Sequence, residues 1–285
     1  MKAANGAILL ITNQRKARAE ELAAVIGAYL REAGYAVTDY RYSGVADSVP
    51  NHDEYRLAIT LGGDGTVLFA TRALSGRSVP ILPINLGEFG FISEVQPDDW
   101  RSALDSFLSG DIAAGERLLL DVSVSRSGEQ LCCFRGLNDA VVSAEGISRM
   151  VNLQVCLTDQ FLGLYRADGV IVATPTGSTA YSAAAGGPIL HPEMNALVLN
   201  PICPFTLSHR PIVLPPDETV HISVVPDQRT DVALTVDGQT LTPLAPGDLL
   251  TVRAAEESAH IVRFGKRTFY EVLRSKLHWA GGPRD

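Results

Sequence analysis

Residues 58–70 read AITLGGDGTVLFA: an apolar strand-like run, a glycine turn from Gly62 to Gly65, and the opening of a helix from Val67 to Ala70. A strand that feeds a helix through glycines is the unit from which α/β domains are assembled. Such a junction also suits a polyphosphate, because backbone N–H groups come close where side chains are missing and the helix start adds partial positive charge. Asp64 is out of character there, since a carboxylate repels phosphate; it belongs if it accepts a proton or reaches a metal. A plain strand-to-helix turn capped by Asp64 is the other reading. Neither a GxxxxGK[ST] loop nor a GxGxxG turn between a strand and a helix occurs, so P-loop and dinucleotide-binding Rossmann chemistry do not account for the motif.

Outward from this stretch, apolar runs at Ala7 to Ile11, Ala36 to Tyr40, Leu57 to Leu61 and Pro80 to Ile84 predict four strands. Leu22, Val25, Ile26, Tyr29 and Leu30 recur at helical spacing and predict a helix from Arg18 to Ala33, stopped at Gly34. A second amphipathic helix is expected from Asp98 to Leu108, with Gly110 beyond its end. After Gly115 short β-rich runs take over, among them Leu118 to Val124, Val151 to Leu157, Val170 to Thr174 and Val220 to Val224. Turns are expected at Ser127-Gly128, Asp168-Gly169, Asp237-Gly238 and Pro246-Gly247. The expected fold class is therefore α/β plus all-β. An N-terminal Rossmann-like α/β domain (residues 1–112) precedes a C-terminal β-rich domain (113–267), and a last helical segment (268–285) packs back on the first domain.

At 285 residues and 46% hydrophobic content the chain can bury a sizeable core, which fits two domains. A net charge of −8 argues against a sequence-independent grip on nucleic acid, so no nucleic-acid partner is expected and an anionic substrate must be held by local donors. Cys132, Cys133, Cys156 and Cys203 show neither CxxC spacing nor a nearby histidine pattern, which points to a reducing cytoplasm. No run approaches the roughly 18 apolar residues of a membrane span, and no signal peptide is legible. The six histidines are scattered and GxSxG is missing, so neither a histidine metal site nor a serine triad is proposed.

The second chemical signal is RADGVIVATPTGSTAYSAAAGGP, residues 166–188. Thr174, Thr176, Ser178, Thr179 and Ser182 offer hydroxyls, while Gly177, Gly186 and Gly187 permit close backbone approach, as an extended polar ligand requires. Tyr181 is a flat surface for a base; a core aromatic in a turn-rich connection is the alternative.

This stretch resembles the signature of NAD kinases, and GGDGT at residues 62–66 is similar to that family's other signature. Asn138-Asp139 resembles its Asn-acidic pair, and the run from Pro201 to Pro204 with Leu207, Ser208, Arg210 and Pro211 resembles its later proline-rich motif. Lipid and diacylglycerol kinases share the GGDG turn and are the alternative, but lack the run at 166–188.

The resemblance implies transfer of the γ-phosphoryl of ATP to the adenosine 2′-hydroxyl of NAD, giving NADP. Asp64 would be the base, and Gly62, Gly63, Gly65 and Thr66 would hold the ATP phosphates. A divalent cation, Mg2+, would bridge those phosphates, with no metal residue assigned. Asn138 and Asp139 would meet an adenine edge and a ribose diol; Arg149 and Arg166 would face the pyrophosphate; Asp168 would accept from the carboxamide. Thr179, Ala180, Tyr181, Ser182, Ala183 and Ala184 would border the adenosine, with Asp237 and Gln239 in a late contact loop and Phe91 beside the dinucleotide. Turns at Asn138-Asp139 and Asp168-Gly169, a hairpin at Asp237 and a core place for Phe91 are the alternatives. The chain departs from the pattern at Ala184, Phe205 and Phe89, and Asp139 is the shorter of the two acids seen in relatives, which bears on affinity and on NAD against NADH. A homo-oligomer, a tetramer, is implied as well.

Overall fold

The computed structural model describes residues 6–44, 49–50, 55–87, 90–146, 150–228 and 230–277. Two compact units emerge, residues 1–116 with 259–285, and residues 117–258. Both crossings fall inside strands.

The first unit opens with β1 (Ala7–Asn13), α1 (Ala19–Glu32), β2 (Val37–Tyr42), β3 (Tyr55–Gly62), α2 (Asp64–Ala73), β4 (Ile81–Asn85) and α3 (Trp100–Ser109). The strands lie parallel in the order β2-β1-β3-β4. Strands covered on both faces read as continuous apolar runs rather than alternating ones, and Ile8 to Ile11 and Leu57 to Ile59 are accordingly fully buried. Ile26 and Leu30 bring the apolar side of α1 into the same core as Ala103 and Leu104 of α3. Gly34 and Gly110 adopt φ of 87° just past α1 and α3, the left-handed stop that glycine supplies without strain.

The second unit is built from β5 (Ala114–Arg126), β6 (Glu129–Gly136), β7 (Asp139–Ala144), β8 (Val151–Leu157), β9 (Gln160–Ala167), β10 (Gly169–Ala173), a short α4 (Tyr181–Ala184), β11 (Leu197–Ile202), β12 (Ile212–Leu214), β13 (Val220–Val224), β14 (Val232–Val236), β15 (Thr240–Leu244) and β16 (Leu249–Val262). One sheet runs β12-β11-β10-β7-β14-β15; opposite it β16, β13, β8 and β9 pair in that order, with β5 on β16 and β6 on β5. Val142, Val172, Leu199 and Leu234 of the first sheet share one core with Leu153, Val155, Ile222 and Val252 of the second.

From Ala259 onward β16 belongs to the first unit, where Ile261 pairs with Ile81, and beyond it α5 (Phe269–Leu277) buries Phe269, Val272 and Leu273. Its start is fixed by a reciprocal cap: Thr268 N–H donates to Glu271 Oε2 at 2.7 Å and Glu271 N–H donates to Thr268 Oγ1 at 3.3 Å. The α/β and β-rich halves and the helical C-terminus thus match the expected fold class. No helix among the described residues is long and apolar enough to cross a membrane.

One expected turn is something else. Asp168 does not close a hairpin but is the single residue between β9 and β10, which belong to different sheets; its N–H donates to Ile202 O and its carbonyl accepts from Ala144 N–H. The glycine after it is needed because a Cβ at Gly169 would press on the Val142 carbonyl.

Candidate active site

At the carboxyl end of β3 the chain turns at Gly62 and Gly63 and enters α2 at Asp64. Gly63 occupies the cap position of that helix, and Asp64 is its first residue. The Asp64 side chain reaches the segment after β4: Phe91 N–H donates to Oδ2 at 2.8 Å, while Oδ1 accepts from Ile92 N–H (3.3 Å), Ser93 N–H (2.9 Å) and Ser93 O–H (2.6 Å). A carboxylate oxygen has about two lone-pair sites. Oδ1 is therefore saturated, whereas Oδ2 holds one donor among the described residues and keeps a lone pair for another. Gly90 makes room for this, because a Cβ there would collide with the Asp64 carboxylate and lie 2.5 Å from Ser93 Oγ.

Two of the phosphate-loop residues serve the protein itself. Thr66 is 1% exposed and its hydroxyl accepts from Asn13 Nδ2 at 2.9 Å. Gly62 lies so near Thr66 that a Cβ would strike it, and its carbonyl accepts from Leu86 N–H at 2.6 Å. Gly63 and Gly65 differ: a Cβ at either would meet nothing within 4 Å. Neither therefore puts a side chain in the way of a ligand at the start of a ten-residue helix, where the dipole favours negative charge.

In the second unit Asp237, at φ 53° in the β14–β15 hairpin, turns its carboxylate onto three successive amides. Leu137 N–H donates to Oδ2 at 2.9 Å; Asn138 N–H and Asp139 N–H donate to Oδ1 at 2.7 and 3.2 Å. Asp237 thus fixes the Asn138-Asp139 pair, while Gln239 N–H closes the same hairpin on Val236 O. Asp139 is 5% exposed, and burial first, then the nearby Asp237 charge, push its carboxyl up to about 7. The Asn138 Oδ1 atom is buried with no hydrogen-bond partner among the described residues.

The hydroxyl-rich run spends most of its hydroxyls on the protein itself. Thr174 donates to Leu137 O at 2.6 Å, Ser178 to Pro175 O at 2.6 Å, and Thr179 to Thr176 O at 3.0 Å. Ser182 is 0% exposed and accepts from Asn200 Nδ2 at 3.3 Å. The Thr176 hydroxyl and Asn200 Oδ1 have no partner among the described residues although both are buried. Gly177 packs on the Asn138 backbone, which a Cβ would overlap. These contacts bring the 174–187 run and Asn138 together.

Tyr181 is 48% exposed, so it is no core aromatic, and Ala180 and Ala183 are half-buried with Ala184 exposed. Arg166 is exposed and lies over the Phe205 ring at 4.9 Å; Asp168 is exposed. Phe91 is half-buried and contributes its backbone to Asp64. Arg149 lies outside the described residues. Sequence reading missed Ser93 and Asn200. Asn200 left a signal, a lone amide inside the apolar strand LVLNPI; Ser93 left only a hydroxyl two residues after a glycine-aromatic pair.

A carboxylate with one lone pair to spare beside small residues at a helix start suits a phosphotransferase, and the buried acceptors of the β-rich unit, unpartnered among the described residues, suit a polar, hydroxyl-bearing substrate. Sequence comparison makes this specific. The profile of the ATP-NAD kinase N-terminal domain matches residues 47–112, and that of the ATP-NAD kinase C-terminal domain matches 137–264. The chain is 42% identical over 274 residues to the NAD kinase of Treponema denticola, covering 96% of each, and 41% identical to that of Geobacter metallireducens over 88% of this chain and 87% of that one. The chain belongs to the NAD kinase family. Two solved structures share the fold: yeast NADH kinase complexed with NADH (TM-score 0.84, 24% identity, 98% of this chain and 89% of that one) and an Archaeoglobus fulgidus NAD kinase in complex with ATP (TM-score 0.74, 22% identity, 95% and 98%). The lipid-kinase alternative finds no support in these matches.

Proposed function

We propose that this NAD kinase uses Asp64 Oδ2 as the base for phosphoryl transfer from ATP to NAD. The adenosine 2′-hydroxyl gives its proton to Oδ2 as its oxygen bonds to the γ-phosphorus; the bond from that phosphorus to the bridging oxygen breaks, and ADP leaves with NADP as product. The observation that carries this is the asymmetric seating of the carboxylate, with Oδ1 pinned by three donors and Oδ2 by one. Gly63 and Gly65 give the triphosphate its backbone donors. In the second unit, the Asn138 carbonyl oxygen suits the amino edge of adenine, Asp139 a ribose hydroxyl and Tyr181 the face of a base. Ser182 supports that surface from behind through Asn200, and Asp237 does so through the Asn138 amide. Thr179, Ala180, Ala183 and Ala184 border it, with Arg166 and Arg149 assigned to the pyrophosphate, Asp168 to the carboxamide and Gln239 to the hairpin edge.

Among the described residues no three histidine, cysteine, aspartate or glutamate side chains converge. Mg2+ therefore fits as a companion of triphosphate oxygens and water rather than as the occupant of a protein cage, and its chemistry would be to neutralise phosphate charge. A homo-oligomer, tetrameric by family resemblance, is supported by β9. That strand ends its sheet, and Phe161 and Leu164 stand on it 62% and 61% exposed. Light scattering on Leu164→Glu should show a smaller species than the parent. A cytoplasmic setting fits the four cysteines, all free. Incubation of the purified protein with NAD, ATP and Mg2+ should yield NADP; no product with any divalent ion would reject the reading.

A further inference from the structure

A cavity of about 580 Å³ in the first unit has no part in the roles assigned so far. Its walls come from the start of α1 (Arg18, Glu21), the segment after β4 (Leu86) and the turn into α3 (Gln96, Asp98, Trp100). We propose that this cavity receives the adenosine end of the phosphoryl donor ATP, a reading that rests on the phosphotransfer assigned above.

Position is the first argument. In the order β2-β1-β3-β4, the strand carrying the phosphate loop lies between the two whose following segments form the walls. Open parallel sheets bind ligands at the carboxyl ends of their strands, beside the point where the strand order reverses. The wall is also bonded to the loop, since Leu86 N–H donates to the Gly62 carbonyl.

Chemistry is the second. Gln96 Nε2 is buried and has no acceptor among the described residues. A buried donor left unmade is costly, and a purine ring nitrogen is an acceptor that repays it. Trp100, Leu22 and the half-exposed Val25 line the same space and offer flat and aliphatic surface for a base. Glu21 and Asp98 accept from an amino group or a ribose hydroxyl but repel phosphate, so the neutral end of the nucleotide goes in and the charged end stays toward Gly63 and Gly65. Arg18 stands at the rim in the left-handed region, at φ 65°.

The test uses the full-length protein and two variants, Gln96→Leu, which removes the amide donor, and Val25→Trp, which fills the cavity from an exposed position. ATP and NAD binding are each measured by equilibrium dialysis, so the result does not depend on turnover. ATP affinity is expected to fall about tenfold in both, the scale of one lost hydrogen bond or of steric exclusion, with NAD affinity held within about twofold. In a Trp279→Phe background Trp100 is the only tryptophan, and its emission should respond to ATP but not to NAD. Unchanged ATP affinity in both variants, or a loss confined to NAD or shared equally by the two ligands, would overturn the proposal. If the parent protein binds ATP at this cavity yet makes no NADP, the assigned reaction falls and the nucleoside pocket stands.

Discussion

The two glycine-rich regions solve opposite problems. Around Asp64 the protein supplies donors to its own acceptor, so one carboxylate oxygen is satisfied and the other is aimed. Around Asn138 the protein leaves acceptors bare: Asn138 Oδ1, Asn200 Oδ1 and the Thr176 hydroxyl are buried without partners among the described residues. Each such group costs about 1–3 kcal/mol when left unmade. The first arrangement is one of fixed geometry, suited to a reacting group. The second stores unused hydrogen-bonding capacity, which is what a recognition surface spends on its ligand.

The strongest way to break this contrast is Asp64→Asn. An amide presents its own donor to one of the surrounding N–H groups and cannot take the proton, so kcat should fall by about 10³-fold or more while NAD binding, assigned to the other unit, stays within a few-fold. Steady-state kinetics beside NAD titration would decide; weak loss of kcat would make Asp64 a loop anchor only.

Asn138→Leu is sharper for the second region. It deletes an unpartnered buried acceptor, so NAD affinity should drop about tenfold while the melting temperature of the ligand-free protein holds or rises. A fall in both would mean that Asn138 serves the fold.

Asp139→Asn gives the smallest effect, read against pH. In the folded protein the carboxyl titrates near 7, above its ordinary value of 3.8, so the native state holds a proton that the unfolded chain has released. The wild type thus keeps its full stability at low pH and loses this contribution as pH rises from about 4 through 7. The variant carries no charge to bury. Its melting temperature relative to wild type should climb across that window and level off above it; a flat difference would refute the raised titration.

Fold and site were legible to different depths. Val151–Leu157 and Val220–Val224 could be read to the residue, because one buried face imposes strict alternation. β9 could not: Phe161, Leu162 and Leu164 are exposed while only Tyr165 and Ala167 are buried, so its pattern does not mark a core. The expected domain edges at 112 and 267 lie near the onset of β-rich texture and the return of helical spacing, whereas the compact units divide within β5 and β16, where the chain offers no linker to see. Asp64 stood out because an acid among glycines is odd, yet its tether did not, since three of its four donors are backbone amides that carry no side-chain signature. The hydroxyls of 174–182 announced polarity without saying that most of it is turned inward.

The glycines carry one more consequence, for tolerance to mutation. Within the motif that drew the eye, Gly63 and Gly65 are under no pressure from the polypeptide: a methyl group at either fits, and neither adopts a left-handed φ. Gly62 in the same motif does not share this freedom, since a Cβ there would strike Thr66, and outside it Gly90 and Gly177 are equally intolerant, one against a carboxylate and the other against a main chain. A library screened for folding alone would therefore drift freely at 63 and 65 and stay fixed at 90 and 177. Only a screen for product would restore the first pair, marking them as residues whose smallness is demanded by the nucleotide and not by the fold.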